Sequence, residues 1–326
     1  MTDRIWSRFF WHSFALTLLL LLATSCGSEK RAKTPRGVQQ VLATTFPIYL
    51  ITRNVVGDAA DVDVQMLLPS ELGCPHNYAL SPQDMTKLGN CDVLVLNGLG
   101  LEEFLGAQTK RVAKRVTIID SSSGIDNLIL YPGTCQHHHH EGDGGDVADD
   151  HQADINPHLF VSPRICAQLA ENIAEGLIRC HPRNAAMYRA NANAYAVRMN
   201  ALADDFAALG KRIKNRRIAT QHSSLDYLAR DMGIEIVAVI QINAGQQPSA
   251  AELIQITAKI QKHSVGAILT EPQYPPAVAE TVARETGVPT IAFDPVASGP
   301  PNAPIDYAEK VMRQNLSVLK NALEGD

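Results

Sequence analysis

Between Pro182 and Asn215 the chain reads "PRNAAMYRANANAYAVRMNALADDFAALGKRIKN", with apolar or small residues at helical spacing and no internal Gly or Pro before Gly210. One helix of about thirty residues spans about 45 Å, long enough to run the height of the molecule. The rest of the chain must be organised on either side of it. At 326 residues there is material for two domains of about 150 residues each.

The flanking patterns match each other. Before the helix, "VQQVLATTF", "ADVDVQMLL", "CDVLVLNG" and "RVTIID" read as strands. They alternate with helical stretches "PIYLITRNVVGD", "SPQDMTKLGN" and "LEEFLGAQTKRV", the first started by Pro47 and stopped by Gly57. After it, "RIATQH", "IEIVAVI", "VGAILT" and "PTIAFD" alternate with helical stretches, and "IDYAEKVMRQNLSVLKNALE" closes the chain. This rhythm predicts an α/β fold of two lobes, each a mainly parallel sheet flanked by helices, joined by one long backbone helix. The expected limits are 39–180 for the first lobe, 181–214 for the linking helix and 215–326 for the second lobe.

Ahead of the first lobe, Arg4 and Arg8 precede an apolar run from Phe14 to Ala23 that ends in small residues and Cys26. That is the layout of a secretory signal over 1–26, too short to span a membrane comfortably. "LATSC" is similar to the lipobox of bacterial lipoproteins, which predicts a lipid on Cys26 and a polar tether over 27–38. The protein is expected in the periplasm or on the cell surface, held to a bacterial membrane. Net charge is −5 with no Lys/Arg stripe, which excludes nucleic acid as a natural partner. Five cysteines follow Cys26, namely Cys74, Cys91, Cys135, Cys166 and Cys180, so at least one thiol stays unpaired. Cys166 and Cys180 fall on one helix about 21 Å apart and cannot bond each other. Cys74 with Cys135 is a possible pair, and Cys91 reads as a small buried hydrophobe opening a strand.

Residues 135–154, "CQHHHHEGDGGDVADDHQAD", cannot fold regularly: glycines break it and no apolar period runs through it. Its imidazoles and carboxylates are ligands for borderline divalent metals. His137, His138, His139, His140 and His151 are therefore candidates for auxiliary metal collection.

Five other residues sit where strands or loops lead into helices, the edge at which parallel α/β sheets bind ligands. They are His76, His158, His222, Glu271 and Asp294, drawn from both sides of the long helix. Three imidazoles with one carboxylate make a four-coordinate shell suited to Zn2+. His12, His181 and His263 lie in the signal, at a helix break and late on a helix, and are poor candidates. Nothing matches HExxH, a nucleophile elbow or a phosphate-cradling loop, so an enzyme, least of all a zinc hydrolase, is not expected.

The segments "CPHNYALSPQDMTKL", "NPHLFVSPRICAQLAENIAEGL", "TQHSSLDYLARDMGIEIVAV" and "TEPQYPPAVAETVARETGVPTIAFDP" occur in that order. In them the chain resembles the cluster A-I metal-receptor family, the periplasmic and lipoprotein binding proteins that feed zinc and manganese ABC importers. The resemblance covers nearly the whole mature chain. It implies metal ligation by His76, His158, His222 and Asp294, with Glu271 supporting the site rather than ligating. It also implies delivery to an ABC permease and its ATPase by a monomeric receptor. A histidine at the third position goes with zinc in this family and an acidic residue with manganese, so His222 points to Zn2+ over Mn2+. Some relatives are adhesins, which leaves a metal-stabilised adhesin-type lipoprotein as the alternative. Three departures stand out: Asn77 and Asn156 replace usual Asp residues, and Phe160 replaces a usual Trp.

Overall fold

The computed structural model describes residues 37–76, 78–108, 114–130, 155–241 and 247–324. Cys26, Asn77, Cys135, His137, His138, His139, His140 and His151 lie outside the described residues.

Strands β1 (Gln39–Ala43), β2 (Val62–Met66), β3 (Val93–Leu96) and β4 (Thr117–Asp120) form one sheet in the order β2-β1-β3-β4. Strands β5 (Arg217–Thr220), β6 (Glu235–Val239), β7 (Ala267–Thr270) and β8 (Thr290–Ala292) form the other, in the equivalent order β6-β5-β7-β8. Every neighbouring pair is parallel. Parallel strands covered on both faces need side chains that are apolar without alternation. β3 meets this need, with Val93, Leu94 and Val95 all buried. Leu94 and Leu42 share one apolar cluster with Leu67, Leu88 and Leu105, while Val93 and Val95 point into the larger core on the opposite face.

Helix α1 (Phe46–Val56) starts with Pro47 and stops at Gly57, whose φ of 59° suits glycine. Helix α2 (Pro82–Asn90) carries a capping box between Ser81 and Asp84. Helix α3 (Pro163–Cys180) leads to α4 (Ala185–Arg212), whose 28 residues make a rod about 42 Å long. α4 buries a stripe of Tyr188, Ala192, Tyr195, Met199, Leu202, Phe206 and Leu209, and contacts α1 and α3 from the first half of the chain. From the second half it meets α5 (Asp226–Met232) and α8 (Tyr307–Leu323). Its glycine is explained at that seam: a Cβ on Gly210 would lie 1.9 Å from the Met232 carbonyl oxygen. Helices α6 (Ala250–Lys262) and α7 (Ala277–Thr286) cover the second sheet.

The fold class is the one expected, with two parallel-sheet lobes and a long helix between them. The stretch "LEEFLGAQTKRV" opens with a short 3-10 turn at Glu103–Leu105, Gly106 turns the backbone to a φ of 47°, helix follows at 107–108, and 109–112 lie outside the described residues. Cys91 does not open β3: it is half-buried at the end of α2. Among the described residues no helix is long and apolar enough to cross a membrane.

Candidate metal centre

The loop from β2 to α2 is pinned at both ends. The Lys87 ammonium donates to the Met66 and Leu67 carbonyls at 2.9 and 2.7 Å, where the strand gives out. Tyr78 donates from its hydroxyl to Asp84 Oδ2 at 2.8 Å, tying the far end to the capping box of α2. Between these anchors lie Cys74 and His76. Gly73 just before them has a φ of 75°, and the loop there lies against the Gln273 side chain.

His158 comes from the segment entering α3 and is wholly buried. Its backbone N–H donates to Asn156 Oδ1 at 3.0 Å, and its ring Nδ1 lies 2.8 Å from the same oxygen. An amide oxygen only accepts, so Nδ1 carries the proton and Nε2 keeps its lone pair. The Asn156 amide donates the other way, to the Ser223 carbonyl and to Asp226 Oδ2, both at 3.1 Å. The family's usual Asp here would set two carboxylates face to face; Asn bonds to Asp226 instead. Tyr227 completes the link, donating from its hydroxyl to the Asn156 carbonyl at 2.7 Å. Phe160 packs beside His158, with ring centroids 6.0 Å apart.

His222 lies just past the end of β5 and is 2% exposed. Its Nδ1 faces the Gln241 carbonyl at 3.3 Å, so it too carries its proton away from the centre.

The three rings converge. Centroids are 5.4 Å apart for His76 and His158, 6.0 Å for His76 and His222, and 5.1 Å for His158 and His222. Cys74 joins them, its Sγ 3.0 Å from His158 Nε2. One ligand atom from each of Cys74, His76, His158 and His222 lies within 4.8 Å of the other three. Tetrahedral zinc with bonds of about 2.0–2.3 Å needs ligand atoms roughly 3.3–3.7 Å apart, so small rotamer adjustments suffice.

The two predicted carboxylates are not members of this four-residue group. Asp294 follows β8, and its Oδ1 accepts from the Val296 N–H at 2.8 Å. Glu271 follows β7, fully buried, accepting from Ser224 Oγ at 2.7 Å and from the Gln273 amide. Both its oxygens are thus engaged by side chains of its own lobe. The residue that sequence reasoning placed elsewhere is Cys74, weighed only as a possible disulfide partner of Cys135. The available signal was the Cys-Pro-His spacing, which sets a thiol two positions from the first imidazole.

At the imidazoles electrostatics favours metal over protons, and at the thiol and Glu271 it favours the proton. Burial, with His222 and His76 adding, holds His158 well below the ordinary histidine value, and burial lowers His76 as well. Both rings therefore stay neutral, the form that coordinates. Burial, reinforced by the nearby Asp294 carboxylate, pushes Glu271 up to about 7 against the hydrogen bonds from Ser224 and Gln273. Burial and the Glu271 charge raise the Cys74 thiol.

Residues 41–322 match the model of the family described as ZnuA, zinc-uptake complex component A, periplasmic. The chain belongs to the ZnuA family. Among ZnuA-family relatives it is similar to the high-affinity zinc uptake system protein ZnuA of Bacillus subtilis (strain 168), at 28% identity over 317 residues, 95% of this chain and 96% of that one. It is also similar to the zinc-binding lipoprotein AdcA of Streptococcus pneumoniae serotype 4, at 28% identity over 311 residues. That match takes in 94% of this chain but 60% of AdcA, so the chain spans well under two thirds of this relative's length. Among solved structures, a Zn(II)-bound mutant variant of AdcAII from Streptococcus pneumoniae superposes with a TM-score of 0.73 at 26% identity, over 89% of this chain and all of that one. The ZnuA-family fold agrees with the two-lobed architecture and its long helix.

Proposed function

We propose that this ZnuA-family protein captures a divalent transition metal, Zn2+ before Mn2+, outside the cytoplasm and delivers it to an ABC membrane permease and its ATPase. The observation that carries this reading is the convergence of His76, His158 and His222 from both sides of the long helix. Neutral imidazoles suit zinc, whereas manganese favours oxygen-rich sites of higher coordination. The protein works as a monomeric receptor and binds without turnover. The signal-like N-terminus and Cys26 support export and a lipid anchor. The histidines at 137–140 and His151 support a collecting role for 135–154.

Competitive zinc titration of the metal-free full-length protein tests the core of the reading. One tightly bound ion is expected, and its loss in each single His→Ala variant. Equal affinity in wild type and all three variants overturns it. Melting after chelation separates a receptor, which stays folded, from a lipoprotein that needs zinc to fold. Zinc-dependent turnover on an ester or phosphate panel would support a hydrolase instead. Deleting 135–154 while keeping His158 tests the loop: unchanged stoichiometry and affinity would remove its collecting role.

A further inference from the structure

We propose that Cys74 is a direct metal ligand, so that the cargo is held by one thiolate and three imidazoles and the site selects thiophilic borderline ions. This rests on the receptor reading above and adds the identity of the donor that decides selectivity. Three observations support it. The Cys74 sulfur is a member of the four-atom group, which contains neither Asp294 nor Glu271. It is held there by its backbone, since Gly73 before it has a φ of 75° and Pro75 after it has a fixed φ. The turn is closed by the Tyr78 N–H donating to the Pro75 carbonyl at 2.9 Å, and Tyr78 is anchored on Asp84.

The third observation is where the sulfur points. His158 Nδ1 is committed to Asn156 Oδ1, so the contact at 3.0 Å between Cys74 Sγ and His158 Nε2 is a thiol S–H donating to the imidazole lone pair. That lone pair is the one a metal needs. On binding, the S–H bond breaks, its proton leaves to solvent, and the ion takes the proton's place between sulfur and nitrogen. The same two atoms serve both states with little movement. A thiolate favours zinc, cobalt and cadmium and gives manganese little. It thereby supplies the negative charge that the sequence expectation assigned to Asp294.

Cobalt(II) reports the donor directly. We expect the reduced, metal-free full-length protein to bind Co2+ with intense tetrahedral d–d bands and a near-ultraviolet sulfur-to-cobalt charge-transfer band. Cys74→Ser should lose the charge-transfer band and bind zinc at least about 100-fold more weakly, with a smaller loss of manganese affinity. Asp294→Asn should keep the band. Cobalt bound with d–d bands but no charge-transfer band in the wild type overturns the thiolate and leaves the histidine receptor standing. No bound cobalt or zinc at all overturns both. The wild-type spectrum decides the matter even if Cys74→Ser fails to fold.

Discussion

The two sheets have the same strand order and the same parallel pairing, yet they deliver donors differently. In the second lobe His222, Glu271 and Asp294 come within two residues of strand ends, and a buried network of Gln221, Gln241, Ser224 and Gln273 holds that edge. In the first lobe Cys74 and His76 stand on a loop well beyond β2, pinned at its ends. Each lobe also buries one carboxylate after its third strand in sheet order. Glu102 follows β3 and accepts from Thr44 Oγ1 and the N–H of Asn97 at 2.7 Å and that of Gly98 at 3.1 Å. Asn97 in turn donates to the Pro157 carbonyl beside His158 at 2.8 Å. Glu271 sits at the corresponding place in the second lobe, near the ligand atoms. One topology thus delivers donors from strand ends in one half and from a pinned loop in the other, and the site is built where they meet.

The comparison can be broken most severely at the imidazoles. His158→Ala and His222→Ala are each expected to weaken zinc binding by more than about 100-fold, read by chelator competition. If only one of the two mattered, the site would belong to one lobe. Next comes Asn156→Asp, which turns a hydrogen bond to Asp226 into a carboxylate pair and loosens the His158 ring. A loss of about 10- to 100-fold in zinc affinity is expected, accompanied by a lower melting temperature. Gly210→Ala should act on the seam alone, costing about 1–3 kcal/mol of stability through its clash with Met232. Denaturant melts would show this with zinc affinity unchanged.

Acidification is a milder probe. His76 and His158 are held below the ordinary 6.5, so they stay neutral in the folded metal-free protein where an exposed histidine would charge. Proton competition at these two imidazoles should therefore begin only below 6.5, while the proton that zinc displaces from Cys74 makes affinity fall with pH above it as well. Over the same interval the unfolded chain takes up protons that the fold refuses, so metal-free stability also declines below 6.5. Titrations and melts across pH check both signs. The smallest effect is expected from Glu102→Gln. Its carboxyl, pushed up to about 7 by burial against bonds from Thr44, Asn97 and Gly98, is already largely protonated in mild acid. Stability at pH 8 should change while zinc affinity shifts by less than about tenfold.

Much of this was legible because strand–helix alternation and strand-end placement are local signals. His76, His158 and His222 each follow a strand or precede a helix, and the structure brings all three together. Cys74 was not legible as a donor, because a cysteine in an exported chain reads first as half of a disulfide. Its side-chain direction depends on the φ of Gly73 and on the fold of the second lobe beneath it. The start of the stretch after Leu101 was hidden for a related reason: a 3-10 turn and the positive φ of Gly106 come before the helix at 107–108, and propensity does not encode that turn. Asn156 read as a weakened Asp until Asp226, distant in sequence, came to lie opposite it.

The long helix α4 threads one continuous apolar core through both lobes, from Tyr188 to Leu209. Heat should consequently disassemble the molecule in a single cooperative step, with neither half outliving the other. Whatever energy the cargo contributes at the junction is then shared by the entire fold. With free ion at a hundred times the dissociation constant, that protection amounts to about 2.7 kcal/mol, and it would register as one upward-shifted calorimetric peak.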